Sequence, residues 1–106
     1  MIDSHAHYDD ERFDPDRDDV LNECVRHAVT HIVNAGSNIE SSKKSVELAR
    51  KYPFVYAAAG VHPHDVSQCN DSTLDTLREL AGESKVVAIG EIGLDYYYDF
   101  SPRDKQ

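Results

Sequence analysis

Two patterns of apolar positions alternate along the chain. Short runs of small and β-branched residues at 2–6, 31–35, 55–61 and 86–89 are separated by longer stretches whose apolar residues recur every three or four positions. The runs predict strands and the spaced stretches predict helices. The first helical face is Val20, Leu21, Cys24, Val25 and Ala28, preceded by Asp14-Pro15, an N-cap followed by a first-turn proline. The second is Val46, Ala49 and Tyr52, opened by Ser37 and Glu40 at capping-box spacing and stopped by Pro53. The third is Leu74, Leu77, Leu80 and Ala81, ending at Gly82. The last run, 86–89, is almost continuously apolar, as in a strand covered on both faces.

Strand–helix alternation implies an α/β fold with a parallel sheet and right-handed crossovers. No linker or low-complexity segment divides the chain, so residues 1–106 read as one domain. Four strand–helix units fit in this length, whereas a closed eight-unit barrel takes about 250 residues. Ser101-Pro102-Arg103-Asp104 looks like another helix opening, and Gln106 follows two residues later. The expectation is a chain cut at the start of its fourth helix; the plainer alternative is a frayed tail.

Composition narrows the picture. Hydrophobic residues make up 40% of the chain, enough for a packed core. Eleven Lys and Arg stand against 20 Asp and Glu, a net charge of −9, which argues against a broad basic nucleic-acid surface. It leaves room for a nuclease that holds phosphate through metal ions, because the metal supplies local positive charge. Cys24, on the helical stripe, reads as a small core residue, and Cys69 lies in a polar loop. Both read as reduced thiols of an intracellular protein. No stretch approaches the roughly 20 apolar residues of a membrane span, and Asp3 and His5 fall where a signal peptide would be apolar. A cytoplasmic protein without a membrane partner is expected.

Every strand delivers its unusual polar residues at its C-terminal end: His5 and His7, then Gly36-Ser37, then His62-Pro63-His64, then Glu91 and Asp95. That end is where parallel α/β folds bind ligands. His5 and His7, two apart on a strand, leave the same face and can converge on one cation. Alone, H-x-H is a weak signal; its place at the end of the first strand, after Asp3, strengthens the metal reading. Glu91 directly follows an apolar strand, and a carboxylate can bridge two metals about 3.5–4 Å apart. The alternative is a capping or ion-paired glutamate. Gly90 and Gly93 flank it and are expected to allow close backbone approach to a ligand.

The stretches Met1-Ile2-Asp3-Ser4-His5-Ala6-His7, Ala59-Gly60-Val61-His62-Pro63-His64 and Val87-Ala88-Ile89-Gly90-Glu91-Ile92-Gly93-Leu94-Asp95-Tyr96-Tyr97 resemble the signatures of TatD family hydrolases, in the wider amidohydrolase-like group. The resemblance spans all 106 residues in order and spacing. It implies the first four βα units of a TIM-like (β/α)8 barrel, one or two divalent metal ions (zinc, magnesium, manganese or similar) and DNase or other phosphoester hydrolase activity. It assigns metal ligation to His5 and His7 and a metal-bridging, catalytic role to Glu91. The family's further ligands, two histidines and an aspartate, have no matching positions here. DNA or another phosphoester is the implied substrate.

Weaker expectations attach to neighbouring residues. His62 could donate a hydrogen bond to a substrate phosphate or serve the loop alone, and His64 is a tentative substrate contact beside it. Asp95 could orient a ligand or a loop backbone. Tyr96, Tyr97 and Tyr98 could stack on bases, though packing and exposure at the barrel mouth is the favoured reading. His27, His31 and Lys43-Lys44 read as ordinary surface residues. Two rivals remain: a barrel that cleaves an amide or another ester, and a non-catalytic half-barrel whose unpaired strand edges drive self-association.

Overall fold

A computed structural model describes residues 1–106. Four strands, β1 (Ile2–Ala6), β2 (His31–Ala35), β3 (Val55–Ala59) and β4 (Val86–Ile89), alternate with three helices, α1 (Arg17–Arg26), α2 (Ile39–Lys51) and α3 (Asp71–Ala81). The strands pair in parallel, in the order β1-β2-β3-β4. The α/β expectation with one strand per repeat therefore holds, and all four strand runs lie where the pattern put them; β3 ends two residues early, at Ala59. No helix is long and apolar enough to cross a membrane.

The core forms where α1 and α2 meet the two central strands. Leu21, Ile32, Val46, Ala49, Val55 and Ala57 are buried together there, and Tyr52 closes the helical face as expected. Burial of each large aliphatic side chain is worth about 1.5–3 kcal/mol. The same helix also buries Ser41, Ser42 and Ser45, which the apolar stripe did not mark. Ser42 sits against the strand ends: its Oγ lies 3.1 Å from both the amide nitrogen and the carbonyl oxygen of Gly60. A Cβ at Gly36 would stand 2.1 Å from that Oγ, so α2 can dock on the ends of β2 and β3 only because residue 36 has no side chain.

Several local expectations are corrected. Asp14-Pro15 does not start α1. Residues Glu11–Phe13 form a 3₁₀ turn capped by Asp10, whose carboxylate accepts from the Arg12 amide at 2.9 Å. Asp14 closes that turn and takes the Arg17 guanidinium at 2.5 Å, leaving Asp16 as an N-cap without a side-chain bond. The α2 cap is Asn38, which accepts from the Ser41 amide at 2.9 Å, and not a Ser37–Glu40 box; Glu40 instead pairs with Lys44. The capping box belongs to α3, between Asn70 and Thr73. Cys24 is half-buried against the core, with Tyr8 Oη at 3.4 Å from its sulfur, and Cys69 is half-buried as well.

Burial falls off towards β4. Helix α3 buries no residue, and of the α1 stripe only Leu21 is fully covered. Val87 and Ile89 are 55% and 54% exposed, so β4 is not covered on both faces. Within residues 1–106 it pairs with β3. Residues 101–106 form a turn in which the Lys105 and Gln106 amides donate to the Pro102 carbonyl at 3.0 and 3.2 Å. Ser101 does not cap it; the buried hydroxyl donates to the His64 carbonyl at 2.6 Å.

The two candidate caps of α2 separate in a stability measurement. Asn38→Ala is expected to cost about 1 kcal/mol in urea unfolding, while Ser37→Ala stays within about 0.5 kcal/mol. The reverse order would put the cap back at Ser37.

Candidate metal centre

The histidines at the end of β1 face the end of β4. In neutral His7 the proton is assigned by a backbone contact: its Nδ1 lies 2.9 Å from the Ala35 carbonyl oxygen, which can only accept. Nε2 therefore carries the lone pair, the arrangement in which a carbonyl sets the tautomer of a metal-binding imidazole. His5 Nε2 lies 3.1 Å from His7 Nε2, with the rings edge to face. Glu91 Oε2 lies 3.5 Å from His5 Nε2 and 3.7 Å from His7 Nε2. One donor atom from each of these three residues falls within 4.8 Å of the others.

This donor set fits a divalent cation. Two imidazole nitrogens each about 2.0–2.1 Å from a tetrahedral ion stand about 3.3 Å apart, close to the observed 3.1 Å. Two neutral nitrogens and one carboxylate suit zinc or manganese, and they leave coordination positions open for water and substrate.

Glu91 is placed through its backbone. Its amide donates to the Gly36 carbonyl at 2.7 Å, after the Gly90 amide has donated to Ala59 at 3.0 Å. The chain leaving β4 thus crosses the end of β3 to reach β2. A Cβ on Gly60 would stand 2.5 Å from the Gly90 carbonyl carbon and 2.9 Å from the Glu91 nitrogen. The tight backbone contact within the chain is at Gly60; a Cβ at Gly90 would make only ordinary contact, and Gly93 takes a positive φ of 151° with open space where a Cβ would stand.

His62 also faces Glu91, with Nε2 3.7 Å from Oε1. Its Nδ1 accepts the His64 amide hydrogen at 3.1 Å. Neutral His62 consequently carries its proton on Nε2, which makes it a hydrogen-bond donor towards the centre. The backbone amide of His62 donates to the Ser37 carbonyl at 2.7 Å, fastening this loop to the one after β2.

His64 and Asp95 pair with each other through a short contact between Nε2 and Oδ2. The other Asp95 oxygen accepts the amides of Tyr97 and Tyr98 at 2.9 and 3.1 Å. The hydrogen bond from His64, followed by those two backbone amides, holds the Asp95 carboxyl below the usual carboxylate range. Of the two roles read for Asp95, its contacts are those of the loop-organising one. Tyr98 stacks on Phe100, and Tyr97 is 85% exposed. At the opposite end of the sheet, His31 stacks on Tyr56 and His27 pairs with Glu23.

A cavity of about 350 Å³ lies away from this cluster, between the N-terminal ends of α2 and α3, lined by Asn38, Glu40, Val61, Asp65 and Cys69 among others. Two of these are carboxylates, and no buried unpaired polar group points into it. The His–Glu cluster is an open surface site.

Residues 2–106 match the family described as TatD related DNase. The metal-dependent hydrolase YabD of Bacillus subtilis is 39% identical over 106 residues, which are all of this chain and 42% of YabD. The 3'-5' ssDNA/RNA exonuclease TatD of Cronobacter sakazakii is 41% identical over the same span, 40% of its length. The crystal structure of YjjV, a TatD homolog from Escherichia coli K12, superposes with a TM-score of 0.84 at 34% identity, covering 93% of this chain and 39% of YjjV. The chain thus spans about two-fifths of the length of the relatives it matches.

Because the folded-state pKa of Asp95 is depressed, the order it gives the loop is present above the ordinary carboxylate range and is lost as pH falls through the lowered value. Amide exchange at Tyr97 and Tyr98 is expected to show protection at neutral pH that disappears only in acid more extreme than a free carboxylate requires. Asp95→Ala should remove the protection at every pH. Equal protection in that variant would mean that Asp95 does not hold the loop.

Proposed function

The chain belongs to the TatD related DNase family, and from that premise we propose that it supplies the His–His–Glu portion of a metal-dependent phosphodiesterase centre acting on DNA or RNA. The observation that carries the reading is the convergence of His5, His7 and Glu91, with the His7 lone pair turned inward by the Ala35 carbonyl. Residues 1–106 are then the N-terminal half of one barrel domain. A cytoplasmic setting goes with this reading and is supported by two free thiols, Cys24 and Cys69.

When bound, one or two divalent cations supply Lewis acidity to a phosphoryl oxygen and make water a competent nucleophile near neutral pH. The residues do the rest. His5 and His7 offer Nε2 lone pairs, and Glu91 offers two oxygens, one towards each side of the cluster. His62, protonated on Nε2 by virtue of its bond from the His64 amide, donates to a non-bridging phosphate oxygen. Asp95 and His64 keep the adjoining loops in register. With a net charge of −9, the chain attracts a polyanion only through such local donors and cations.

Calorimetric titration of the chain with zinc or manganese is expected to show one class of site, with His7→Ala or Glu91→Gln weakening it by about 10- to 100-fold or more. Replacing the matching part of YabD with residues 1–106 gives a full-length protein in which the chemistry can be read. It is expected to release nucleotides from single-stranded DNA, to stop in EDTA and to resume on adding metal. A folded, metal-loaded chimera that cleaves only amides or carboxylic esters would overturn the phosphodiesterase reading.

A second reading concerns the chain as a unit. Val87 and Ile89 on β4, with Ile92 and Leu94 beyond it, leave an exposed apolar edge with unpaired backbone groups. Such an edge pairs with a second copy of itself. Sedimentation should find a dimer, and Ile89→Lys should shift it to monomer; a monodisperse wild-type monomer would refute self-association.

A further inference from the structure

The strand that follows α1 reads His-Ile-Val-Asn-Ala, and its asparagine is out of place in a core strand. Asn34 is fully buried, at 0% exposure. Its amide is nonetheless saturated. Oδ1 accepts the Tyr8 backbone amide at 2.6 Å, and Nδ2 donates to Asp9 Oδ1 and to Ser45 Oγ, each at 2.8 Å. The second Asp9 oxygen accepts the Ser41 hydroxyl at 2.5 Å. Ser41 Oγ in turn accepts the Ser37 amide at 3.2 Å, and Ser45 Oγ donates to the Ser41 carbonyl at 2.8 Å. No buried side-chain nitrogen or oxygen in the chain lacks a partner.

This network stands where the backbone ladder stops. The β1–β2 register shifts between Asp3 and Ala6, and Ala6 is the last paired residue, opposite Asn34. One residue further, His7 meets β2 only through its ring, at the Ala35 carbonyl. Then Tyr8 is held not by a strand carbonyl but by the Asn34 side chain. The His7 ring is thus flanked by two anchors, Ala6 pairing before it and the Tyr8–Asn34 bond after it. Asp9 fastens the second anchor to α2 through Ser41.

We infer that Asp9 and Asn34, with Ser41 and Ser45 behind them, are positioning residues that fix the His7 ring against Ala35 and so keep its Nε2 lone pair available to a divalent cation. The inference rests on the reading of His7 as a metal-binding imidazole. A buried network of this kind is costly when half-satisfied, because the unpaired members are penalised in full. It is therefore either intact or released, with little between.

The first test needs no metal. Nitrogen-15 spectra of the neutral His7 ring should show the Nδ1–H tautomer in the wild-type chain. Asn34→Ala and Asp9→Ala should move His7 towards the Nε2–H form that free histidine prefers. Asp9→Asn keeps an acceptor for Asn34 and a polar partner for Ser41, and should retain the wild-type tautomer. Asp9 is only half-buried, so its variants remain usable if Asn34→Ala fails to fold.

The second test is zinc affinity at a temperature where circular dichroism shows each variant folded. Asp9→Ala should weaken binding by about 10- to 100-fold, the usual cost of losing a group that orients a ligand, and Asp9→Asn should restore it. In a His7→Ala background, Asp9→Ala should still lower stability but change zinc affinity no further. Wild-type tautomer and affinity in folded Asn34→Ala or Asp9→Ala, or loss of both in Asp9→Asn, would overturn the inference. A wild-type chain with the Nδ1–H tautomer that takes up no zinc would sink the metal reading instead, and the ring spectra would still decide the positioning role.

Discussion

The Glu91 amide reaches over the end of β3 to the Gly36 carbonyl, 2.7 Å away, and the geometry of the site follows from that one bond. Parallel strands ordinarily end side by side, each a strand spacing from the next. Here the segment leaving β4 passes over Gly60 and meets the end of β2. The carboxylate from the fourth strand is thereby brought to the histidines of the first, with two strands lying between them. The crossing is possible because residue 60 lacks a Cβ, and α2 seals it by placing Ser42 against both Gly36 and Gly60. Two glycines and one serine let the segment after β4 cross the end of β3 to the end of β2.

Polarity is distributed accordingly. On the sheet's central strands, apolar packing against α1 and α2 supplies cohesion, while the buried serines of α2 and Asn34 supply direction. An apolar replacement of similar size could match the cohesion. It could not reproduce the directional bonds to Tyr8, Asp9 and Gly60, and those bonds point at the strand ends where the chemistry lies. Part of the acidic surface is kept apart from this machinery: Glu23, Glu40 and Asp75 pair with Arg or Lys on exposed helices.

The strands and the order of elements were legible in the sequence because β-branched runs and helical spacing are local signals. The convergence of His5, His7 and Glu91 was legible because histidines and a carboxylate at the tips of apolar strands have few structural uses. Helix starts were not, since Asp14, Ser37 and Asn38 are all acceptable caps and only the path of the preceding turn selects among them. The apolar run of β4 carries no signal of which of its side chains residues 1–106 cover. Asn34 was visible as a polar residue inside a strand, but its partners lie 11 to 26 residues away, and no periodicity reports them. Gly60 stood in plain view within Ala59-Gly60-Val61, yet what it avoids is a backbone 30 residues further along.

Two histidines of the same residue type face one carboxylate with opposite chemistry, and the difference is made by the backbone. At His7 a carbonyl takes the Nδ1 proton, leaving Nε2 a Lewis base. At His62 an amide donates to Nδ1, leaving Nε2 a proton donor. A carbonyl and an amide do not titrate, so both assignments hold wherever the rings are neutral. Glu91 lies between them, one oxygen towards the basic pair and the other towards the donor. A cation held on the His5–His7 side and a phosphate oxygen held on the His62 side would then be neighbours across a single carboxylate. That juxtaposition, required for any attack on phosphorus assisted by a metal, is set by hydrogen bonds to the main chain and not by the identity of the side chains alone.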